Sequence, residues 1–555
     1  MSLIGTIFKV PLSREQISDK LRGGYYTPEE ITDFLVKWAI RGVRAKVLEP
    51  SCGDGNFIES LTKEFGNSIE ITGVELSSEE ATEALMRGNK KTKVVISDAF
   101  EWYIKNRPDA KFDAVVGNPP FIRYQNFPEV HREKAFQIMR EEGLSPSRLT
   151  NSWLPFVVLA TRALKPGGRL AMVLPAELLQ VTYARELRRY LSVKYKNLSI
   201  VTFKRLVFAN IQQEVVLLLG ERGDCVTASI SLLEFEDLSD LGHKQFVFKK
   251  KQHKILDINH DNEKWTQYYL SHEELSLIRS IEISGAFTRL GSIADVDVGV
   301  VTGNNDFFML DPKKALTLEV VEHCLPIIGR SNHLSGILFT KADYKNVSKL
   351  GERTLLFNPG KINREQLTKN LISYILQGEG SGVIEGYKCR IRLPHWWNVP
   401  SVWKPDAFML RQIHEGPKII ANQTQATSTD TVHRIRMTSD IPASSLAAAF
   451  TNSLTFALSE IRGRSYGGGV LELEPSEAEN LLVPTLAANT QLPLEEMDAL
   501  VREKKTIQAL NLMDSIVLKD AGLDKNEVKI LRDIWLKLKT RRNSRNRPKK
   551  LTLFL

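Results

Sequence analysis

The sequence is poor in cysteine, and its four cysteines are far apart. They lie at Cys52, Cys225, Cys324 and Cys389, so no two of them form a CxxC pair. Paired CxxC motifs indicate structural zinc sites, and dense cysteines in a short chain indicate a disulfide framework. The sequence therefore predicts no metal site, and its cysteine content fits a reducing compartment.

A signal peptide, a long apolar run and two nucleotide-binding patterns are also absent. No stretch reaches the roughly 18 consecutive apolar residues of a transmembrane helix. The glycine turn at Gly53 and Gly55 lacks the third glycine of GxGxxG, and the glycine-rich loop from Arg462 to Gly469 contains no Gly-Lys-Ser/Thr. We therefore expect a protein that is neither secreted nor membrane-spanning, and we exclude a dinucleotide fingerprint and a P-loop.

The sequence is long and contains more basic than acidic residues. Its 555 residues, 42% hydrophobic and 25% charged, predict about two or three domains with ordinary cores. A net charge of +9 and a pI of about 9.1 favour a polyanionic partner. Many soluble proteins are mildly basic, so charge alone does not identify that partner.

The most informative segment runs from Phe112 to Phe121. Its apolar and β-branched residues predict a buried strand, and Asn118-Pro119-Pro120-Phe121 follow that strand directly. The amide oxygen of asparagine and a proline carbonyl can accept the hydrogens of a planar amino group, and proline brings no competing N–H. Phe121 offers a flat face for stacking a base. The tetrad is a candidate site for activating an exocyclic amine by orientation, without a strong general base.

A simple turn is the alternative interpretation of the tetrad, since Asn-Pro marks turns in any loop. The predicted position at the carboxyl end of a strand favours the functional interpretation. Open α/β sheets bind their ligands at that edge.

A candidate donor pocket lies upstream, from Ala45 to Phe57. The segment predicts a strand, a glycine turn and the start of a helix, and Gly53 and Gly55 allow the backbone to approach a ligand closely. Glu49 in this turn would repel a pyrophosphate. An acidic turn instead suits a cationic ligand such as S-adenosylmethionine, which carries an ammonium and a sulfonium and no phosphate.

Two further predicted strands end in acidic residues. Glu75 follows about twenty positions after the glycines, where a carboxylate can accept both hydroxyls of a ribose. Asp98 ends the next strand and can accept from an adenine amino group. A helix N-cap is the alternative for a single acid of this kind, but three successive strands with such ends favour a ligand site.

In their order and in their residues these motifs resemble the gamma class of DNA adenine-N6 methyltransferases, the TaqI-like and Eco57I-like group. Gly24-Tyr25-Tyr26-Thr27-Pro28-Glu29 resembles the first motif of that class. The resemblance covers the N-terminal two-fifths of the chain. It implies that the cofactor is S-adenosyl-L-methionine and that nine residues contact it: Thr27, Glu49, Pro50, Ser51, Cys52, Gly53, Glu75, Asp98 and Pro120.

The same resemblance implies that Asn118, Pro119, Pro120 and Phe121 form the catalytic motif that holds the target adenine. Arg205-Leu206-Val207-Phe208, followed by the apolar run from Glu214 to Leu219, resembles the Val-Phe motif of the class. Phe208 is then expected to contact the extruded base from another side. An aromatic residue next to a strand is also a common core residue, which is the alternative for Phe208.

Strands and helices alternate up to about residue 235, which predicts an α/β, doubly wound sheet. We expect a helix from Thr150 to Leu164 that stops at Lys165-Pro166-Gly167-Gly168, a strand from Arg169 to Leu174 and a helix from Ala176 to Tyr190. The resemblance implies a Rossmann-like S-adenosylmethionine-dependent methyltransferase sheet of seven strands, the last of them antiparallel.

Changes in composition predict four segments along the chain. They are a catalytic methyltransferase domain at 1–235, a connecting segment at 236–289, a mixed α+β target-recognition domain at 290–490 and C-terminal helices with a basic tail at 491–555. The connecting segment contains Lys249-Lys250-Lys251. We expect the last helices at about 493–518 and 526–538, before a tail rich in lysine and arginine that can lie along phosphates or stay solvated.

Several segments of the predicted recognition domain are candidates for contacting DNA. The run from Val298 to Phe308 resembles a Gly-Thr-Gly-Asn-Asn run of the class, with Val301 in place of the first glycine. Basic and aromatic residues alternate from Tyr387 to Trp397, which suits either a nucleic-acid surface or a core around two tryptophans. The polar run from Asn422 to Arg436 and the loop from Arg462 to Gly469 can contact bases or phosphate, or can be ordinary loops.

The leading hypothesis is a site-specific methyltransferase that makes N6-methyladenine in double-stranded DNA and so protects it from a cognate restriction endonuclease. The alternatives are an RNA or protein-glutamine N-methyltransferase with the same Asn-Pro-Pro-Phe motif, and a DNA-binding module without catalysis. About two dozen residues precede Thr27, too few for a nuclease domain, so we expect the endonuclease on a separate chain. We expect a monomer or weak dimer in the bacterial or archaeal cytoplasm, associated with the nucleoid.

Overall fold

The computed structural model describes residues 27–107, 111–208, 214–223, 229–243, 258–466, 468–486 and 490–544. Several predicted features lie outside these residues: Gly24-Tyr25-Tyr26, Cys225, Lys249-Lys250-Lys251, Gly467 and the basic tail after Ser544. The chain forms two compact units. The first includes the residues up to Tyr269, with 466–468 and the residues after Arg542; the second includes Leu270–Ser465 and Gly469–Arg542.

Eight strands of the first unit form one sheet. They are β1 Lys46–Glu49, β2 Glu70–Glu75, β3 Thr92–Ile96, β4 Phe112–Gly117, β5 Leu164–Pro175, β6 Tyr195–Phe203, β7 Val215–Arg222 and β8 Ser229–Phe235. Their order is β3-β2-β1-β4-β5-β7-β6-β8. Strands β1 to β5 pair in parallel, with Val47 of β1 opposite Ile71 on one side and Ala114 on the other.

The predicted fold class is confirmed, with one difference in the strand count. β7 is antiparallel to both β5 and β6, as the resemblance implies for the seventh strand. β8 is an eighth strand, and it pairs in parallel with β6. Ile230 and Phe235 of β8 are buried, and the hydroxyls of Ser199 and Ser231 lie 3.0 Å apart between the two strands. This apolar and hydrogen-bonded face explains why the sheet extends beyond β6.

The helices of the first unit cover this sheet. They are α1 Glu29–Ala39, α2 Asn56–Phe65, α3 Ser78–Met86, α4 Ala99–Asn106, α5 Glu129–Glu141, α6 Trp153–Ala163, α7 Glu177–Gln180, α8 Arg185–Lys194 and α9 Ser239–His243. The apolar strands need helices on their faces because a parallel sheet buries both sides. Among these helices α6 is buried at every position except Arg162.

Two predictions about elements after the tetrad were wrong in detail. The helix predicted from Thr150 begins at Trp153, and Lys165-Pro166-Gly167-Gly168, predicted as its stop, lies inside β5. The pairing of β5 with β4 shifts register between Phe112 and Ala114, which accommodates this irregular start of the strand. The helix predicted from Ala176 to Tyr190 is divided into α7 and α8, with a 3₁₀ turn at Thr182–Ala184.

The second unit is a mixed α+β structure with four small sheets. Its strands are β9 Phe287–Arg289, β10 Ala294–Asp297, β11 Met309–Leu310, β12 Cys324–Ile328, β13 Leu338–Phe339, β14 Leu355–Phe357, β15 Ala407–Leu410, β16 Gln412–Ile413, β17 Ile419–Asn422, β18 Thr427–Ser428, β19 Val432–Met437, β20 Arg464–Ser465, β21 Leu471–Glu472 and β22 Leu482–Pro484. The sheet orders are β10-β19-β15-β17-β13, β11-β14-β12-β18, β16-β21-β20 and β22-β9.

Twelve further helices are described in this part of the chain. They are α10 His272–Ile283, α11 Asn305–Phe308, α12 Pro312–Thr317, α13 Lys341–Lys349, α14 Lys369–Gly380, α15 Tyr387–Arg390, α16 Ala443–Ala449, α17 Ser453–Arg462, α18 Pro475–Glu479, α19 Leu494–Arg502, α20 Thr506–Met513 and α21 Lys525–Ser544, with a π-helical turn at Asp514–Leu518 after α20. The predicted C-terminal helices are therefore present with different bounds. The domain boundaries at residues 235, 289 and 490 stay predictions.

An aromatic cluster forms a core of the second unit. The rings of Phe307 and Tyr374 stack with centroids 4.6 Å apart, and the ring of Trp396 lies 5.2 Å from that of Phe307. A Cβ at Gly378 of α14 would lie 2.6 Å from both Phe307 and Trp396, so only glycine fits there without rearrangement. Trp396 and Trp397 are 1% and 2% exposed. The core interpretation of these tryptophans is therefore the correct one.

Trp396→Ala should lower the free energy of unfolding by about 3–5 kcal/mol, because it leaves a cavity among Phe307, Tyr374 and Gly378. Tyr387→Ala is the matched control, because Tyr387 belongs to the same predicted segment but is 65% exposed. Chemical denaturation of both variants measures the difference. A change below about 1 kcal/mol for the Trp396 variant would contradict the burial of this side chain.

Candidate active site

Four polar residues meet at one edge of the eight-stranded sheet. Glu49 and Glu75 end β1 and β2, and Asp98 and Asn118 follow β3 and β4. Because these strands are parallel neighbours, their carboxyl ends share one edge. A cavity of about 530 Å³ lies there, within the range of about 300–1,000 Å³ that small-molecule sites occupy.

The cavity brings together all nine residues predicted to bind a cofactor. Its lining includes Thr27, Glu49, Pro50, Ser51, Cys52, Gly53, Glu75, Asp98 and Pro120, and it also includes Asn118. Pro119, Phe121 and Phe208 are not part of this lining. Phe208 is buried in the core of the first unit, and Phe121 is partly buried against the same core. The roles predicted for these three residues stay predictions.

The loop between β1 and α2 owes its shape to two glycines. Gly53 and Gly55 have φ values of +51° and +96°, which favour glycine. A Cβ at Gly55 would lie 2.7 Å from the Cα of Ala84, so a larger residue would displace α3. The Cys52 N–H donates to the carbonyl of Val74 at 3.1 Å, which ties the loop to the end of β2. The loop therefore presents its backbone to the cavity.

Glu75 holds the same loop through its carboxylate. Its Oε2 accepts from the Gly53 N–H at 2.9 Å, and its Oε1 accepts from the N–H groups of Leu76 and Ser77 at 2.7 and 2.9 Å. A carboxylate has about four lone-pair positions, so Glu75 can still accept from hydroxyl groups of a ligand. Glu75 therefore both holds the loop in place and lines the cavity.

Glu49 is the electrostatically unusual group of the site. It is 2% exposed, and within the described residues no hydrogen bond reaches its Oε2. Burial raises the pKa of Glu49 well above its usual value, and the nearby carboxylates of Asp54 and Glu75 raise that pKa further. A cationic ligand would oppose both effects. The donor set therefore fits a ligand with positive charge, such as S-adenosylmethionine.

Asp98 has two partners in the structure. Its Oδ1 accepts from the Glu101 N–H at 2.8 Å and so caps α4, which is the alternative that the sequence left open. Its Oδ2 lies 2.9 Å from Nδ1 of His131, a residue of α5 that also lines the cavity. Capping and ligand binding are compatible, because the carboxylate retains unused lone pairs.

The tetrad begins at a glycine with an unusual backbone. Gly117 has a φ of +151°, so glycine is the favoured residue at the point where β4 ends. Beyond it, Nδ2 of Asn118 donates to the hydroxyl of Thr27 at 3.2 Å. This contact joins two residues that lie 91 positions apart in the sequence, and it turns the amide plane of Asn118 towards the cavity-lining Thr27.

Among the lining residues that sequence reasoning missed, seven follow the tetrad: Ile122, Asn126, Phe127, Pro128, His131, Ser152 and Phe156. No motif marks them, because they approach the cavity from α5, from α6 and from the segment after the tetrad. Their only signal in the sequence is proximity to the tetrad and to the buried helix after it.

Two segments that are candidates for contacting DNA also make contacts within the protein. A Cβ at Gly299 would lie 1.9 Å from the backbone carbonyl of Thr429, so this glycine permits close contact between two chain segments of the protein. The polar run from Asn422 is largely buried, and Nδ2 of Asn422 donates to the carbonyls of Pro405 and Ala426, each at 3.0 Å. Arg436 of the same run is exposed and lies over the ring of Trp403.

Within the described residues, no group of three or more His, Cys, Asp or Glu side chains is arranged to hold a metal ion. Among the described helices, none is long and apolar enough to cross a membrane.

Two protein families match this chain. The N-6 DNA methylase family matches residues 2–288, more than half of the chain, and the C-terminal domain of the Type II methyltransferase M.Eco57I matches residues 262–518. The Type II methyltransferase M.AccI of Acinetobacter calcoaceticus is 22% identical over 498 residues, 87% of this chain and 88% of the relative. M.HindII of Haemophilus influenzae is 23% identical over 57% of this chain and 60% of the relative.

Solved structures of restriction–modification enzymes are also similar. One is a nuclease-deletion mutant of the Type ISP enzyme LlaGI in complex with a DNA substrate mimic, with 12% identity and a TM-score of 0.47. That match covers 88% of this chain and 55% of the LlaGI chain. The family matches, together with the gamma-class motifs, are the basis of the assignment. The chain belongs to the N-6 DNA methylase family and is a DNA methyltransferase whose methyl donor is S-adenosyl-L-methionine.

Proposed function

We propose that this protein transfers the methyl group of S-adenosyl-L-methionine to N6 of an adenine that leaves the stack of duplex DNA. The observation that carries the proposal is the position of Asn118. It lies on the wall of the cavity that Glu49, Glu75 and Asp98 also line, at the edge formed by β1 to β4. An amide acceptor and a cation-binding pocket at one edge are what methyl transfer to an amine requires.

The cofactor supplies a methyl group on a positively charged sulfur. Glu49 would face that charge, Glu75 would accept from the ribose hydroxyls and Asp98 would accept from the adenine amino group. Pro50, Ser51, Cys52 and Gly53 would hold the ligand from the loop after β1. Thr27 would help to close the methionine end, and Pro120 would contact the cofactor. These roles are supported by the lining of the cavity and by the buried carboxylate oxygen of Glu49, which has no hydrogen-bond partner among the described residues.

The target adenine is held by Asn118 and Pro119. The side-chain oxygen of Asn118 and the carbonyl of Pro119 accept the two hydrogens of the amino group, which localises the nitrogen lone pair for attack on the methyl carbon. As the new N–C bond forms, the bond between the methyl carbon and the sulfur would break and S-adenosylhomocysteine would leave. The alkylated nitrogen would then release one proton to solvent. Phe121 stacks on the extruded base, and Phe208 contacts it from another side. The cost of unstacking is a few kcal/mol, which stacking on these rings offsets.

The biological setting that we propose is restriction–modification. M.AccI and M.HindII are named Type II methyltransferases, which supports a protective role against a cognate endonuclease on a separate chain. Residues 290–490 would then recognise the DNA site, with 1–235 as the catalytic domain, 236–289 as the connection and 491–555 as the C-terminal helices and tail. The protein would act in the cytoplasm, near the nucleoid, as a monomer or weak dimer.

Transfer of a tritiated methyl group to duplex DNA, RNA and protein tests the proposed substrate. We expect label in duplex DNA, and digestion of that DNA to nucleosides should place the label in N6-methyladenine. Label confined to RNA, or to glutamine of a protein substrate, would establish the alternative function. A catalytically inactive DNA-binding module would label none of the three.

Asn118→Ala should slow methyl transfer by at least about a hundredfold, because it removes an acceptor that acts on the reacting amine. The dissociation constant of the cofactor should change by less than about threefold, since its main partners remain. Asn106→Ala is the control: Asn106 lies at the end of α4 and donates to the carbonyl of Trp102. Single-turnover rates and calorimetry measure both quantities, and an Asn118 variant as active as the wild type would refute the assigned role.

Asp98→Ala should weaken cofactor binding by about 10- to 100-fold, the usual loss for one charge-assisted hydrogen bond. Asp113→Ala serves as the matched control. The carboxylate of Asp113 lies 2.9 Å from Nζ of Lys165 and belongs to β4, but it does not line the cavity. Calorimetric titration with S-adenosylmethionine compares the two variants, and equal affinities would remove Asp98 from the cofactor site.

A further inference from the structure

Ser152 holds the segment that leaves the tetrad through three hydrogen bonds. Its hydroxyl donates to the carbonyl of Pro120 and accepts from the N–H of Ile122 at 2.8 Å. Its own N–H donates to the carbonyl of Ile122 at 2.9 Å. These bonds fix the residues on both sides of Phe121.

The hydroxyl of Ser152 is used differently from that of an ordinary helix cap. Ser152 is the N-cap of α6, where serine normally accepts from an N–H of its own helix. Ser271 and Thr340 do so at the starts of α10 and α13, at 3.1 and 3.2 Å. Among the described residues Ser152 makes no such bond, and its hydroxyl instead bonds to Pro120 within the tetrad and to Ile122 directly after it.

The position of Ser152 is also rigid and enclosed. Its exposed fraction is 0%, and the two residues that follow it, Trp153 and Leu154, are 0% and 1% exposed. It nevertheless belongs to the lining of the cavity. A side chain on a packed helix holds its partners more accurately than one on a loop.

We propose that Ser152 is a positioning residue for methyl transfer, which sets the orientation of the Pro119 carbonyl and of the Phe121 ring. This inference rests on the proposed function. Proline fixes φ at Pro119 and Pro120, and Pro120 restricts ψ of Pro119, so the freest torsion of the two prolines is ψ of Pro120. Asn118 is bound to Thr27 at one end, and Ser152 holds the other. Without the hydroxyl the tetrad would keep its fold, but the peptide that follows Pro120 would be free to rotate.

Ser152→Ala tests this role against a merely structural one. We expect kcat for DNA methylation to fall at least tenfold, while KM for DNA and the dissociation constant of S-adenosylmethionine stay within about threefold. Ser199→Ala is the control, because it also removes a buried, hydrogen-bonded hydroxyl from the first unit, far along the sequence from the tetrad. That variant should lose stability and keep its kcat.

These measurements distinguish failure of the positioning role of Ser152 from failure of the proposed function. A wild-type protein that methylates DNA and a Ser152 variant with unchanged kcat would overturn the positioning role alone. Equal losses of kcat in the Ser152 and Ser199 variants would overturn it too, since general destabilisation then explains both. A wild type that methylates no DNA would overturn the proposed function itself, and the positioning role with it.

If the Ser152→Ala variant does not fold, Ser152→Cys tests the positioning role instead. A thiol is somewhat larger than a hydroxyl, fills the site that alanine would leave open, and donates and accepts only weakly. The inference predicts a folded enzyme with a lowered kcat and unchanged cofactor affinity. A kcat equal to that of the wild type would overturn it.

Discussion

The parallel pairing of β1, β2, β3 and β4 is the interaction on which the rest of the site depends. Because the strands run in one direction, the residues that follow them arrive at a single edge. Glu49, Glu75, Asp98 and Asn118 are spread over 70 positions of sequence, yet all four line one cavity. Backbone hydrogen bonds between strands thus determine where the chemistry of the family takes place.

Charge at this edge is arranged so that each acid has a different environment. The carboxylate of Glu75 is satisfied by three N–H groups, and Asp98 caps α4 and faces His131. Only Glu49 combines deep burial with an oxygen that lacks a described partner. A buried acid of this kind destabilises the protein unless it is neutral or meets a cation. The site thereby gains from a sulfonium ligand more than from a neutral one.

The sequence was most informative about the site at positions where the backbone conformation and the proposed chemistry call for the same residue types. Gly53, the acids at strand ends, and Asn118 and Pro120 of the tetrad are all of this kind, and all of them line one cavity. Ser152 and His131 were not predicted from the sequence, because only the tertiary fold brings them to the site. Ser152 caps α6 and His131 lies in α5, and the sequence pattern of these helices indicates burial alone. Trp396 stayed ambiguous in the sequence, since core packing and nucleic-acid contact favour the same residue types.

A crystal structure with a target duplex and a non-reactive analogue of the cofactor would show whether the cavity holds an adenine beside the methyl donor. We expect an extruded adenine whose amino nitrogen lies about 3 Å from both the Asn118 side-chain oxygen and the Pro119 carbonyl. The same nitrogen should lie about 3–3.5 Å from the position of the transferable methyl group. An adenine bound elsewhere, or a cofactor whose methyl position lies far from these two acceptors, would contradict the proposed function.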